Sequence, residues 1–222
     1  MKNRLLIVGA GGFGREVLGW ALDVPPDARD WEVAGFLDAN PAALDGFPCD
    51  YRILGDPSAF LPGPDDWLLP AVADPATKLR VCRGLKARGG RFATLVHPAA
   101  IVGPACRIGE GCVLCPRVTL TTNVTFGAFV TVNAYSGFGH DTMVGDGCTI
   151  SSHVDVTGAV RLGEGVFLGS HASVLPRVEV GDFAVIGAGS AVLRNVPARA
   201  TMMGVPAKQV AGFGAGPSVS KA

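Results

Sequence analysis

Four histidines occur in the chain, at positions 97, 140, 153 and 171, and one of them, His140, is followed at once by an acid, Asp141. Imidazole titrates near neutral pH, which suits it to take a proton from an attacking amine or hydroxyl. A carboxylate that accepts a hydrogen bond from one ring nitrogen fixes the tautomer and raises the basicity of the other. His140 and Asp141 are therefore a candidate general base and its acidic partner. A solvated surface pair is the alternative reading.

A second chemistry-bearing segment is Gly9-Ala10-Gly11-Gly12-Phe13-Gly14, a G-x-G-x-x-G run. Glycines let backbone amides approach an anion, and a helix that starts there adds a favourable partial charge. The loop follows an apolar strand over residues 3–8 and precedes a helix from Arg15 to about Asp23. A strand from Glu32 to Leu37 then ends at Asp38, whose carboxylate is positioned to accept from a ribose or a base. A strand from Trp67 to Ala73, a helix from Pro75 to about Ala87 and a strand from Phe92 to Val96 complete a βαβ-type unit. These elements use residues 1–96, room for one mononucleotide-binding half and not for a full dinucleotide fold. A nucleotide-sugar, NAD or another ligand, and a purely structural tight turn all remain readings of the loop. Residues 39–66 are rich in Pro, Gly and Asp and read as surface.

The second half is governed by a repeat. From Val102 every sixth residue through Val192 is large and apolar, and four places after each comes a small or β-branched residue, as in Cys106, Cys112, Val118 and Val124. The two classes lie two residues apart across each strand and so share one face. Each hexad is one short strand and one turn. Stacked coils bury a core that no single coil can bury. The chain is thus expected to be an α/β, Rossmann-like βαβ domain over residues 1–96, a parallel β-helix of hexapeptide repeats over 97–210, and a flexible tail over 211–222. Cys106, Cys112 and Cys148 fall on small inward places, so packing is their expected role. His140 and Asp141 hold the third and fourth places of their hexad, where the strand bends, and point outward. His153 and His171 share one place eighteen residues apart, so their rings should stack near the strand spacing of about 4.8 Å. A surface or interface ladder is favoured there over a metal site.

Composition narrows the partners. Nineteen Lys and Arg balance nineteen Asp and Glu, so no net field favours a nucleic-acid backbone or an anionic membrane. The chain has 31 glycines and few aromatics, which suits a turn-dense β architecture. The apolar run at Leu5–Gly12 is too short for a signal peptide and is followed by Arg15 and Glu16, and no stretch reaches the length of a membrane span, so the chain is read as cytoplasmic.

The layout resembles the hexapeptide-repeat acyltransferases, and within them the sialic-acid O-acetyltransferase-like family that includes nucleotide-amino-sugar N-acetyltransferases of bacterial glycan and lipopolysaccharide synthesis. The resemblance spans nearly all of residues 1–210. It is carried by the run from Gly9 to Val17, Gly35-Phe36-Leu37-Asp38, His97-Pro98, Asn133 seven residues before His140-Asp141, and the closing Gly204-Val205-Pro206-Ala207-Lys208. It implies a left-handed helix of a little over five coils and a homotrimer with sites between neighbouring β-helices. It also implies acetyl-CoA as co-substrate and no metal. His140 matches the family's general base and Asp141 its partner. Gly11, Gly12, Phe13, Asp38 and Ala39 match nucleotide-sugar contacts. Thr149, Gly169 and Gly181 match positions along the CoA channel, with backbone amides able to polarise the thioester oxygen, and Lys208 could meet CoA phosphates. Many relatives carry histidine where Phe13 stands, and some where Thr149 stands.

The expected activity is acetyl transfer to the amine of a nucleotide-linked amino-sugar, a 4-amino-4,6-dideoxyhexose in the first instance. O-acetylation of a sialic-acid-like sugar is the alternative, followed by a non-catalytic sugar-nucleotide-binding protein. A zinc carbonic anhydrase on this fold needs three converging histidines, to which only the His153 and His171 pair points.

Overall fold

The computed structural model describes residues 2–210; the tail expected over 211–222 lies outside the described residues. The amino-terminal elements are β1 (Asn3–Val8), α1 (Gly12–Asp23), β2 (Trp31–Leu37), β3 (Ile53–Gly55), β4 (Asp66–Pro70), α2 (Pro75–Ala87) and β5 (Arg91–Phe92). They form one parallel sheet in the order β3-β2-β1-β4-β5. The central β1 is paired on both edges and faced on both sides, which is why Leu5, Leu6, Ile7 and Val8 run apolar without alternation. The start of α2 is encoded locally. Pro75 opens the first turn and the Asp74 side chain accepts from the Thr77 amide at 2.8 Å.

The strand expected from Phe92 to Val96 is two strands in two different sheets. Arg91–Phe92 closes the α/β sheet beside β4, and Leu95–Val96 opens the β-helix by pairing with Val113–Leu114. The seam between the domains therefore falls at residues 93–94.

From there the chain winds as a parallel β-helix with three faces. Face one carries Leu95–Val96, Val113–Leu114, Thr131–Val132, Thr149–Ile150, Phe167–Leu168, Val185–Ile186 and Thr201–Met203; face two runs from Ile101–Val102 to Ala191–Val192; face three runs from Arg107–Ile108 to Glu179–Val180. Pairing advances by eighteen residues per coil, as in Thr131 with Thr149 and Thr149 with Phe167, until a shorter last step pairs Val185 with Thr201. Face one thus records six steps, one coil begun before Val102. The inward places close into a continuous core, with Leu114, Leu120, Val132, Ile150, Val156, Leu168 and Val174 at 0% exposure.

The corners impose a conformational cost. One residue per hexad lies in the left-handed region, including Arg117 (φ 61), Asn123 (φ 55), Asp141 (φ 62) and His153 (φ 60). Non-glycine residues adopt that region at roughly 1–2 kcal/mol each, and the ladder above and below each corner must offset it.

Cys112 and Cys148 fill the core as expected, each thiol facing a carbonyl of the next coil, Gly127 at 3.2 Å and Gly163 at 3.0 Å. Cys112 and Cys115 also form a C-x-x-C spacing. Both are fully buried, burial pushes their thiols up, and all six cysteines are free. That environment makes them inert packing groups. Among the described residues, no helix is long and apolar enough to cross a membrane.

The two domains meet along α2, which lies on face one. Lys78 of α2 is wholly buried there and donates to Thr131 Oγ1 (2.9 Å), the Cys148 carbonyl (3.0 Å) and Thr149 Oγ1 (2.8 Å). Burial pushes its ammonium down to about 8 from 10.5. The unfolded chain therefore holds a proton that the folded chain sheds across that interval, so this lysine costs on the order of 3 kcal/mol at neutral pH and progressively less as pH rises. The buried Cys82, Cys112 and Cys148 thiols, raised to about 12, act in the opposite sense above their ordinary range near 9. Comparison with Lys78→Met cancels them. Denaturant unfolding is expected to show wild-type stability rising relative to Lys78→Met between about pH 7 and pH 10, by up to roughly 3 kcal/mol. A pH-independent difference contradicts this reading of the seam.

Candidate active site

His140 and Asp141 sit at the corner between faces two and three, with side chains 64% and 52% exposed. His140 Nδ1 meets Asp141 Oδ2 at 2.7 Å. The carboxylate can only accept, so Nδ1 carries the proton and Nε2 is left with its lone pair. Asp141 Oδ1 accepts from Asn123 Nδ2 at 2.6 Å. These two hydrogen bonds, Asn123 first, hold the Asp141 carboxyl below its ordinary value. The outcome is an exposed imidazole held in one tautomer.

The other histidines have different surroundings. His97 Nδ1 accepts from the Ala99 amide at 3.0 Å and its Nε2 meets Asp23 Oδ2 at 3.1 Å, tying the end of α1 to the first coil. His153 and His171 stack at 4.8 Å with planes 2° apart, as their spacing predicts, and Tyr135 extends the column at 4.9 Å. The column occupies the corner between faces one and two. Among the described residues, no three His, Cys, Asp or Glu side chains group as metal ligands.

The glycine loop is built for close approach. Gly9 (φ +109) passes so near β4 that an added Cβ would lie 2.8 Å from the Ala71 carbonyl oxygen, and one on Gly14 would lie 2.1 Å from the Gly9 oxygen. Gly11 caps α1 without any side-chain hydrogen bond and no acid stands in the first turn, so no side chain caps the amides there. Gly11 and Gly12 are exposed. Asp38 accepts from the Ala10 amide through Oδ2 and from the Asn40 amide through Oδ1, both at 2.8 Å, and so holds the loop to the end of β2. A crevice of about 280 Å³ opens at the carboxyl ends of β1 and β2, lined by Gly9, Asp38, Ala39, Ser58, Thr77 and Arg80 among others. It lies at the end of β1, from which the strand order runs to β2 and β3 on one side and to β4 and β5 on the other, the usual ligand position in such sheets. Phe13 is half-buried and turned edge-on to Trp20 at 6.0 Å, packed against the core rather than free in the crevice. Ser58, Thr77 and Arg80 were not foreseen; only the helical spacing of Thr77 and Arg80 hints at a shared face.

Three positions are expected along a CoA channel. Thr149 is 2% exposed, its hydroxyl donates to the Ala73 carbonyl at 2.8 Å and accepts from Lys78, so α2 covers it. The amides of Gly169 and Gly181 donate to the Ile186 and Val196 carbonyls at 2.8 and 2.9 Å. They belong to the ladder. Gly181 does line a shallow groove of about 330 Å³ with Arg161, Glu179 and Asn195 on face three. Lys208 is exposed on the terminal hairpin that pairs Met202–Met203 with Lys208–Gln209.

The crevice and His140 lie on different sides of one chain. The amino-terminal domain rests on face one and on the corner between faces three and one, through Lys78, through Leu79 against Gly147, through Phe92 edge-on to Phe129 at 4.8 Å and through Arg83 with Glu164 at 2.5 Å. In a three-sided prism the corner of His140 is opposite face one.

Residues 4–85 match the family model described as the PglD N-terminal domain. A search of curated proteins finds no match. Among solved structures, the chain is similar to PerB from Caulobacter crescentus in complex with CoA and GDP-perosamine, at 28% identity and a TM-score of 0.83 over 93% of this chain and 96% of that one. A structure of a histidine-to-asparagine mutant of that perosamine N-acetyltransferase matches at 27% identity and a TM-score of 0.84, over 94% of this chain and 97% of that one. The acetyltransferase domain of PglB from Neisseria gonorrhoeae FA1090, in complex with acetyl coenzyme A, matches at 25% identity and a TM-score of 0.84 over 95% and 100% of the two chains. The shared architecture is that of sugar-nucleotide acetyltransferases.

Proposed function

We infer that this chain, an acyltransferase of the hexapeptide-repeat group with a PglD-type amino-terminal domain, moves an acetyl group from acetyl-CoA to the amine of a nucleotide-linked amino-sugar, with His140 as general base. The observation that carries this reading is the tautomer of His140, fixed by Asp141 at an exposed corner with Nε2 left free.

The sugar's ammonium has no lone pair and must lose a proton before it can attack. That first proton goes to solvent; as the neutral amine closes on the thioester carbonyl, His140 Nε2 takes a second proton from its nitrogen, the C–N bond forms, the C–S bond breaks, and this proton passes from the imidazole to the departing thiolate, leaving a neutral amide and the free thiol. Asp141 keeps Nδ1 protonated and stabilises the imidazolium formed midway. The nucleotide diphosphate is held by the free amides around Gly11 and Gly12, beside Asp38 and Ala39, with Arg80 as the nearby cation of the crevice. Phe13 shapes the loop through its packing on Trp20. Lys208 is retained as a contact for the phosphates of CoA.

Because His140 stands opposite the face that bears its own amino-terminal domain, a nucleotide-sugar held by one chain must meet the base of another. A homotrimer with sites between neighbours satisfies this, as any closed ring of heterologous contacts would in kind. Cytoplasmic operation on glycan precursors is consistent with CoA and nucleotide-sugars as substrates.

O-acetylation remains the second reading, since an alcohol needs the same base. A matched pair of sugar nucleotides differing only in an amine or a hydroxyl at one carbon separates the two. Thiol release from acetyl-CoA is expected with the amine and not with the hydroxyl; the reverse selects O-acetylation, and release with neither rejects both.

A further inference from the structure

His140 has neighbours one coil away on each side whose chemistry the transfer reaction does not require. At the corner between faces two and three, Asn123, Asp141, Ala159 and Arg177 follow at eighteen-residue intervals, all in the left-handed region with φ of 55, 62, 58 and 63. Parallel register stacks such residues one above the next. Asn123 therefore lies one coil before Asp141 and directs its amide onto Asp141 Oδ1 at 2.6 Å, while Oδ2 takes His140 Nδ1 at 2.7 Å. Each carboxylate oxygen has one donor, and the plane of the carboxylate is fixed from both ends. Only the amide nitrogen of Asn123 can face an ionised carboxylate, so the orientation of that side chain is determined by its partner.

On the other side, Gly158 stands eighteen residues after His140 at the same hexad place. A Cβ there would lie 2.6 Å from His140 Nε2 and 2.9 Å from Cε1. The φ of Gly158 lies outside the left-handed region that would demand glycine. Its lack of a side chain is explained by the imidazole that covers it.

We propose that Asn123 and Gly158 are positioning residues for the base: Asn123 orients the carboxylate that sets the tautomer of His140, and Gly158 provides the floor on which the ring lies. The inference rests on His140 being the base, so its test has one readout that needs no substrate. Nitrogen NMR of the free protein reports which ring nitrogen of His140 carries the proton. In wild type Nδ1 is expected to be protonated. Asn123→Ala keeps the corner, because Ala105 and Ala159 already hold that hexad place with φ of 59 and 58. It is expected to mix the two tautomers and to lower kcat by about 10-fold or more with KM nearly unchanged, the size typical of a lost orienting hydrogen bond. Asn123→Asp, which sets acceptor against acceptor in the same left-handed residue class, is expected to lose more, and Asn123→Gln to recover part of the loss. Gly158→Ala is expected to displace the ring and lower kcat by a similar factor with no change in melting temperature.

Wild-type tautomer and wild-type kcat in both Asn123→Ala and Gly158→Ala overturn the proposal. Mixed tautomers with unchanged kcat overturn it through its premise, since the geometry then holds while His140 is not the base.

Discussion

His140→Ala is expected to lower the turnover of acetyl transfer by roughly 10² to 10⁴, the range for loss of a general base. The substitution touches no core contact, because His140 stands on an exposed corner and its backbone carbonyl keeps its bond from the Ala159 amide at 2.7 Å. Melting temperature and the KM values for both substrates should stay close to wild type. A loss confined to kcat marks an interaction made in the transition state rather than in binding. Steady-state thiol release is the measurement, and turnover equal to wild type removes His140 from the mechanism.

The second large effect is expected at the glycine loop. Gly11 caps α1 at φ −68 and ψ −167, an extended conformation that any residue adopts, and nothing lies within 4 Å of a built Cβ. Aspartate is among the best capping residues, so Gly11→Asp should stabilise the helix by a few tenths of a kcal/mol, with a similar gain from its charge at the helix amino terminus. The same carboxylate takes the free amides that would otherwise hold a diphosphate and sets a negative charge against it. Like charges about 4 Å apart near a protein surface repel by roughly 4 kcal/mol, so affinity for the nucleotide-sugar should fall at least about 100-fold. A higher melting temperature together with lost binding is the signature, read by calorimetric titration and thermal unfolding. Unchanged affinity moves the nucleotide elsewhere.

Much of this architecture was legible because its signals are local and repeated. The hexads locate the inward places, which is why Val132, Ile150 and Leu168 are buried as the period requires. The outward bend of His140-Asp141 follows from the same count. Asn123 was legible in principle, since it precedes Asp141 by one coil of eighteen residues. What escaped was set by docking. Thr149 holds an outward place, which implies solvent only while nothing covers that face, and α2 covers it. Lys78 looks like any lysine of a mixed helix until its three acceptors on face one are seen. The amides of Gly169 and Gly181 were expected along the CoA channel from resemblance alone, and coil-to-coil pairing claims them as it claims every rung. The run from Phe92 to Val96 reads as one strand because its pattern is continuous, whereas its two ends find partners in different sheets.

The central claim, that acetyl transfer joins the base of one chain to the nucleotide domain of another, is tested most directly by mixing the two variants above. Chains of His140→Ala and Gly11→Asp, co-expressed and purified as mixed assemblies, should regain up to roughly a quarter of wild-type activity, the statistical share of contacts that pair a sound base with a sound loop. Each variant alone should be nearly inactive at the same nucleotide-sugar concentration. Mixed assemblies no more active than the separate variants contradict the shared site.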